Sequence, residues 1–82
     1  MTDNAEFVLY TRSTCSLCDA MEDELRPFIT EYSITVRRQY IDNDAALEKL
    51  YGSRVPVLSL NDETVCEYFL EPETLRSLLK GL

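Results

Sequence analysis

Cys15 and Cys18 stand three residues apart in Cys15-Ser16-Leu17-Cys18. Thiols at that spacing suit two kinds of chemistry, exchange with disulfides or metal binding. Their surroundings favour exchange. A short apolar run, Phe7-Val8-Leu9-Tyr10, leads through a polar turn, Thr11-Arg12-Ser13-Thr14, to the cysteines at the head of a segment with helical spacing. The first N–H groups of a helix have no partner within it, and the aligned peptide dipoles favour negative charge there. A cysteine at that place is stabilised as thiolate, the reactive form. A free thiol is only about 3% ionised at neutral pH, and half ionisation takes roughly 2 kcal/mol of differential stabilisation. Arg12 is the candidate cation to help supply it. Cys18, on the next turn, can attack a mixed disulfide at Cys15 and release the partner. Cys15 is therefore read as the nucleophile and Cys18 as the resolving thiol.

The remaining elements are read as support for this site. Glu6–Tyr10 is a strand, apolar on both faces over Phe7–Tyr10 and so suited to the middle of a sheet. A helix from about Cys15 to Glu31 carries an apolar stripe at Cys18, Met21, Leu25, Phe28, Ile29 and Tyr32. Pro27 lies inside it and is expected to kink it or end it early. Ile34–Ile41 is a second strand. Asp42-Asn43-Asp44 offers caps for a short helix over Ala45–Tyr51 that buries Leu47, Leu50 and Tyr51, with Gly52 closing it in the left-handed region. Val55–Leu60, with Pro56 near its start, and Thr64–Phe69 form a hairpin about Asn61-Asp62. Pro72 opens the last helix, whose stripe is Leu75, Leu78, Leu79 and Leu82. The order β-α-β-α-β-β-α implies an α/β fold: a four-stranded mixed sheet with helices on both faces, strand one central and the first β-α-β unit right-handed.

The 82 residues suit one domain over 1–82, with 1–5 frayed. Eight basic against fifteen acidic residues leave a net charge of −7, which disfavours a phosphate backbone as partner. The sequence holds no histidine, the commonest zinc ligand and the usual general base. No apolar run is long enough to cross a membrane, and the polar start resembles no signal peptide, so the expected location is the cytoplasm, with no membrane partner. Three cysteines in such a compartment argue for redox or metal chemistry over structural bridging. Cys66, in the fourth strand, is read as a structural or incidental thiol.

The whole pattern resembles the thioredoxin fold, and its small size resembles a glutaredoxin. More narrowly, Tyr10-Thr11, Cys15-Ser16-Leu17-Cys18-Asp19, Asp42-Asn43-Asp44-Ala45-Ala46-Leu47 and Tyr51-Gly52-Ser53-Arg54-Val55-Pro56-Val57-Leu58 are similar to a family of small bacterial glutaredoxin-like proteins. The resemblance implies an exposed nucleophile at Cys15 and a buried second cysteine at Cys18. It implies a cis bond at Pro56 and a backbone at Val55 that offers itself to a substrate as a strand edge would. It sets Arg12 against a glutathione carboxylate. Three places depart from glutaredoxins. Ser16-Leu17 replaces Pro-Tyr, Arg54 replaces a threonine, and Asn61-Asp62-Glu63 stands where a Gly-Gly pair and an acid are usual. Arg54 is then a positive charge beside the site, and Asp62 a stand-in for the acid. The implied activity is thiol–disulfide exchange by a monomer on protein or glutathione mixed disulfides. Substrate contacts are expected from Arg12, Leu17, Arg54, Val55 and Pro56. No bound cofactor or metal is expected, and glutathione enters as reductant or co-substrate. The alternative is a binding module, either an iron–sulfur or metal carrier or a redox-inert peptide adaptor.

Overall fold

The computed structural model describes residues 6–81. The expected frayed terminus over 1–5 and the place of Leu82 in the last helix's stripe lie outside them. The elements are β1 (Phe7–Thr11), α1 (Ser16–Tyr32), β2 (Val36–Tyr40), α2 (Ala45–Tyr51), β3 (Val57–Leu60), β4 (Glu63–Glu67) and α3 (Pro72–Lys80). The sheet order is β2-β1-β3-β4. β1 pairs parallel with β2 and antiparallel with β3, and β3 pairs antiparallel with β4. β1, apolar over Phe7–Tyr10, is thus interior, as its composition requires.

Alternation along β1 sends Phe7 and Leu9 to one face and Val8 and Tyr10 to the other. Phe7 and Leu9 join Met21, Leu25 and Phe28 of α1, Leu58 of β3, and Leu75 and Leu79 of α3 in the main core. On the opposite face Tyr10 stacks on Tyr51 of α2, ring centroids 4.0 Å apart. Asn61 and Asp62 take φ of 50° and 73°, the two left-handed residues of a tight hairpin whose twist matches its strands.

Several local expectations are corrected. Of the two outcomes expected at Pro27, the early end does not occur: α1 runs through Pro27 to Tyr32, because Pro27 lies on the exposed side of the helix, where water can reach the carbonyl left without its partner. The helix ends at Ser33, in the left-handed region at φ 54°, with its N–H on the Ile29 carbonyl. β3 begins at Val57 instead of Val55, since Pro56 has no N–H to give to a ladder. β4 ends at Glu67, because Tyr68 turns to φ 67° and leaves the strand. α2 buries none of its residues fully, and Leu50 is 59% exposed. Gly52 is right-handed at φ −52°. Its glycine answers a close approach: a Cβ there would lie 2.5 Å from the Glu48 carbonyl oxygen and 3.2 Å from Nη2 of Arg12. No helix among the described residues is long and apolar enough to cross a membrane.

Candidate active site

Cys15 is the N-cap of α1, in extended conformation (φ −157°, ψ 106°). Its Sγ accepts the Cys18 N–H at 3.1 Å, and its carbonyl accepts the Asp19 N–H at 3.2 Å. Sulfur takes the place that a serine or aspartate oxygen holds in an ordinary cap. The two sulfurs are joined as a Cys15–Cys18 disulfide. Cys15 is partly exposed, whereas Cys18 is 1% exposed, among the buried residues of the helix. An incoming group therefore meets Cys15 first, and Cys18 is reached only through it.

The loop before Cys15 is held by α2. Arg12 Nη1 and Nη2 donate to the two carboxylate oxygens of Glu48 at 2.6 and 2.8 Å, and Nη2 also donates to the Gly52 carbonyl at 2.8 Å. Asp42 lies 3.7 Å from the same guanidinium and accepts the Ser13 N–H at 2.8 Å. Hydrogen bonds from Ser13, with Arg12 adding attraction, hold Asp42 below the usual carboxylate range. The Arg12 hydrogen bonds do the same for Glu48, and Glu48 in turn raises Arg12. The sequence points Arg12 at the thiolate, and the resemblance to glutaredoxins sets it against a glutathione carboxylate. The structure turns it instead to Glu48 and Asp42, where it fastens the loop. Glu48 and Gly52 give no sign of this in the sequence, because they lie 36 and 40 residues from Arg12. Asp42 is visible there as an acid near a helix start, but the cap is Asp44, whose Oδ1 accepts the Leu47 N–H at 3.1 Å.

Val55-Pro56 precedes β3 at the end of the sheet where β1 leads to the cysteines. Val57 lies opposite Tyr10, so the two residues before it sit beside the end of β1, from which the chain runs to Cys15. The Val55–Pro56 bond is cis. The Pro56 carbonyl accepts the Tyr68 N–H at 2.9 Å, and the Tyr68 hydroxyl donates to the Ser53 carbonyl at 2.5 Å. The Val55 N–H is taken within the chain, by the Tyr51 carbonyl at 3.1 Å. The strand edge expected at Val55 thus lacks its donor. Arg54 is not a free charge either. It donates to Glu67 at 2.6 Å and to the Leu50 carbonyl at 3.1 and 3.2 Å, and lies 5.3 Å from the Tyr51 ring centre. Leu17, between the cysteines, is 39% exposed.

Asp62 is not at this end of the sheet. Leu60 pairs with Phe7, and Asn61 exchanges hydrogen bonds with Glu6, which puts the hairpin turn beside the start of β1. Asp62 therefore does not stand in for an acid beside Pro56. Cys66 is buried in the main core, and burial pushes its thiol above the ordinary value. Among the described residues no three His, Cys, Asp or Glu side chains group as a metal site, so Cys66 does not complete one with the pair.

Residues 6–80 match the family model of the glutaredoxin-like domain (DUF836). The chain belongs to that family. Protein Ne2328 from Nitrosomonas europaea, solved by NMR, is 30% identical over 95% of this chain and 94% of its own, with a TM-score of 0.84. The X-ray structure of protein XcR50 from X. campestris is 32% identical over 93% of this chain and 97% of its own, with a TM-score of 0.70. Oxidised mitochondrial thioredoxin 3 from Saccharomyces cerevisiae shares the fold at 18% identity and a TM-score of 0.66, over 99% of this chain and 81% of its own. No protein of curated function matches the chain. The thioredoxin-like fold and a small glutaredoxin-like domain with a C-x-x-C pair are thus established.

Proposed function

We propose that the protein is a cytoplasmic thiol–disulfide oxidoreductase that works through Cys15 and Cys18 on protein or glutathione mixed disulfides. The observation that carries this reading is the asymmetry of the pair. Cys15 caps α1 with its sulfur on a backbone N–H, while its disulfide partner Cys18 is buried behind it. In the reduced protein Cys15 gives its proton to solvent, and the thiolate attacks one sulfur of a substrate disulfide. A Cys15–substrate bond forms as the substrate bond breaks, and the leaving sulfur takes up a proton from water. Cys18, deprotonated in turn, attacks Cys15 Sγ. The Cys15–Cys18 bond closes, the second substrate sulfur leaves, and two electrons have passed to the substrate. A dithiol, or two equivalents of a monothiol such as glutathione, returns the pair to its reduced form.

The test is turnover of a small neutral disulfide, 2-hydroxyethyl disulfide, with dithiothreitol as reductant. Acceleration over the uncatalysed reaction that is lost in Cys15→Ser supports the reading. A wild type no faster than Cys15→Ser refutes it.

A further inference from the structure

The large hydrophobic side chains left exposed among the described residues are Leu17, Tyr40, Leu50, Tyr68 and Phe69. All five belong to segments at the end of the sheet that carries the disulfide. Leu17 lies between the cysteines. Tyr40 is opposite Thr11, at the end of β1. Leu50 is in the last turn of α2, where its carbonyl holds Arg54 next to Val55. Tyr68 is bonded to the Pro56 carbonyl, and Phe69, 66% exposed, follows it. The opposite end, with Glu6 and the Asn61-Asp62 turn, contributes none of them.

The charges at this end have a definite sign. Its three arginines, Arg12, Arg38 and Arg54, are all paired, and they are paired with five carboxylates, on Asp19, Glu22, Asp42, Glu48 and Glu67. With Asp44 and Lys49 of α2 included, six carboxylates stand against four cations, an excess of two negative charges in a chain whose net charge is −7. An anion arriving at Cys15 meets no free guanidinium from Arg12 or Arg54, and it meets a Val55 N–H already given to Tyr51. A tripeptide with two carboxylates, such as glutathione, is poorly matched to these engaged groups. A longer segment with apolar side chains can cover Leu17, Tyr68 and Phe69, and basic residues in it complement the acidic excess.

From this juxtaposition of exposed apolar side chains, an acidic rim and an engaged strand edge, we infer that the substrate of the Cys15–Cys18 pair is a disulfide of a protein segment with apolar and basic residues beside its cysteine. This rests on the oxidoreductase reading and names its substrate class. The exchange is the one written above, with the segment supplying the disulfide and the reduced Cys15–Cys18 pair supplying the electrons.

The experiment measures single-turnover rates of the reduced full chain with two synthetic peptides of equal length, each carrying one cysteine as a mixed disulfide with thionitrobenzoate. One peptide places leucine, phenylalanine and two arginines around the cysteine; the other places serines and two glutamates there. Oxidised glutathione and 2-hydroxyethyl disulfide are run alongside. Each peptide rate is read as a ratio to the rate with 2-hydroxyethyl disulfide. The expected ratio is at least about tenfold higher for the basic, apolar peptide, the scale of partly covering one aromatic side chain together with charge complementarity. Two further readings are expected. The preference shrinks in Phe69→Ser, whose side chain is exposed enough to leave the fold intact. It also shrinks between about 0.02 and about 0.5 M salt, as the Debye length falls from roughly 20 to roughly 4 Å. Equal ratios for the two peptides, a faster rate with oxidised glutathione, or a preference that survives both changes would overturn the inference while leaving the oxidoreductase reading in place. A stable dimer in sedimentation that is lost in Phe69→Ser would overturn it too, since a second copy would then occupy the surface. Failure with every disulfide, the small one included, takes both readings down together.

Discussion

If the backbone of α1 activates Cys15, removing the nearest ion pair should leave its thiolate almost unchanged. The perturbation is the double substitution Arg12→Gln with Glu48→Gln. It deletes the hydrogen-bonded pair at 2.6 and 2.8 Å, keeps the net charge, keeps the shape of the residue at 48 while shortening the one at 12, and leaves the helix start untouched. The magnitude follows from the geometry at the cap. In the disulfide form the Cys15 sulfur lies 3.1 Å from the Cys18 N–H, and the magnitude is that of a thiolate keeping this hydrogen bond on reduction. A hydrogen bond to a charged group contributes about 1.5–3 kcal/mol, and a helix N-terminus about 0.3–1 kcal/mol. At about 1.4 kcal/mol per decade, together they raise the thiolate population at neutral pH by on the order of tenfold or more over a free cysteine. A partly exposed pair of opposite charges, cancelling each other, contributes less than about threefold. The assay is the rate of iodoacetamide alkylation against pH in a Cys18→Ser background, where Cys15 is the accessible thiol. The double substitution should stay within about threefold of its parent at every pH. A fall of about tenfold or more at neutral pH would show that Arg12 activates Cys15 after all, and that the helix backbone does not.

The other predictions concern what holds the site in place. Cys66 should resist alkylation in the native protein even at alkaline pH, because burial raises its thiol and the core covers it, and mass spectrometry should find it modified only after denaturant is added. Leu75→Ala, at a side chain with no exposed surface between α3 and the sheet, should cost about 2–5 kcal/mol in urea unfolding; a loss under about 1 kcal/mol would mean the core is not as described. Asp42 and Glu48 are held below the carboxylate range, so their contribution to stability is complete above their unfolded values of about 4 and is lost as the pH falls through the lower folded ones. The thermal midpoint should accordingly drop more steeply with acidification in wild type than in Glu48→Gln, and parallel curves would contradict the assignment.

The sequence is most informative where chemistry is local. The apolar run of β1, the polar turn and the cysteines at a helix start can be read directly, since each depends on neighbours a few residues away. The Asn61-Asp62 hairpin is legible for the same reason: both residue types tolerate the left-handed region that the turn requires. What escapes is set by distant partners. Arg12 looks like the cation for Cys15 because it is close in sequence, yet Glu48 and the Gly52 carbonyl outcompete that role from α2. The resemblance to glutaredoxins sets Asp62 beside Pro56, whereas strand register carries it to the far end of β3. Leu50 has the spacing of a core residue, but so short a helix turns Tyr51 onto Tyr10 and leaves Leu47 half-buried, and Leu50 is left outside. The Val55 N–H cannot be assigned at all without seeing the Tyr51 carbonyl that takes it.

Everything proposed for the site depends on Cys15 attacking and Cys18 resolving. To separate these roles, reduced Cys18→Ser and reduced Cys15→Ser are mixed separately with 2-hydroxyethyl disulfide, and the intact proteins are weighed by mass spectrometry. The expected products are a stable adduct of one mercaptoethanol on Cys15 in Cys18→Ser and no adduct at Cys18 in Cys15→Ser. Wild type should end as the closed Cys15–Cys18 disulfide without an adduct. Adducts of equal yield in the two variants, or none in Cys18→Ser, would contradict the assigned roles.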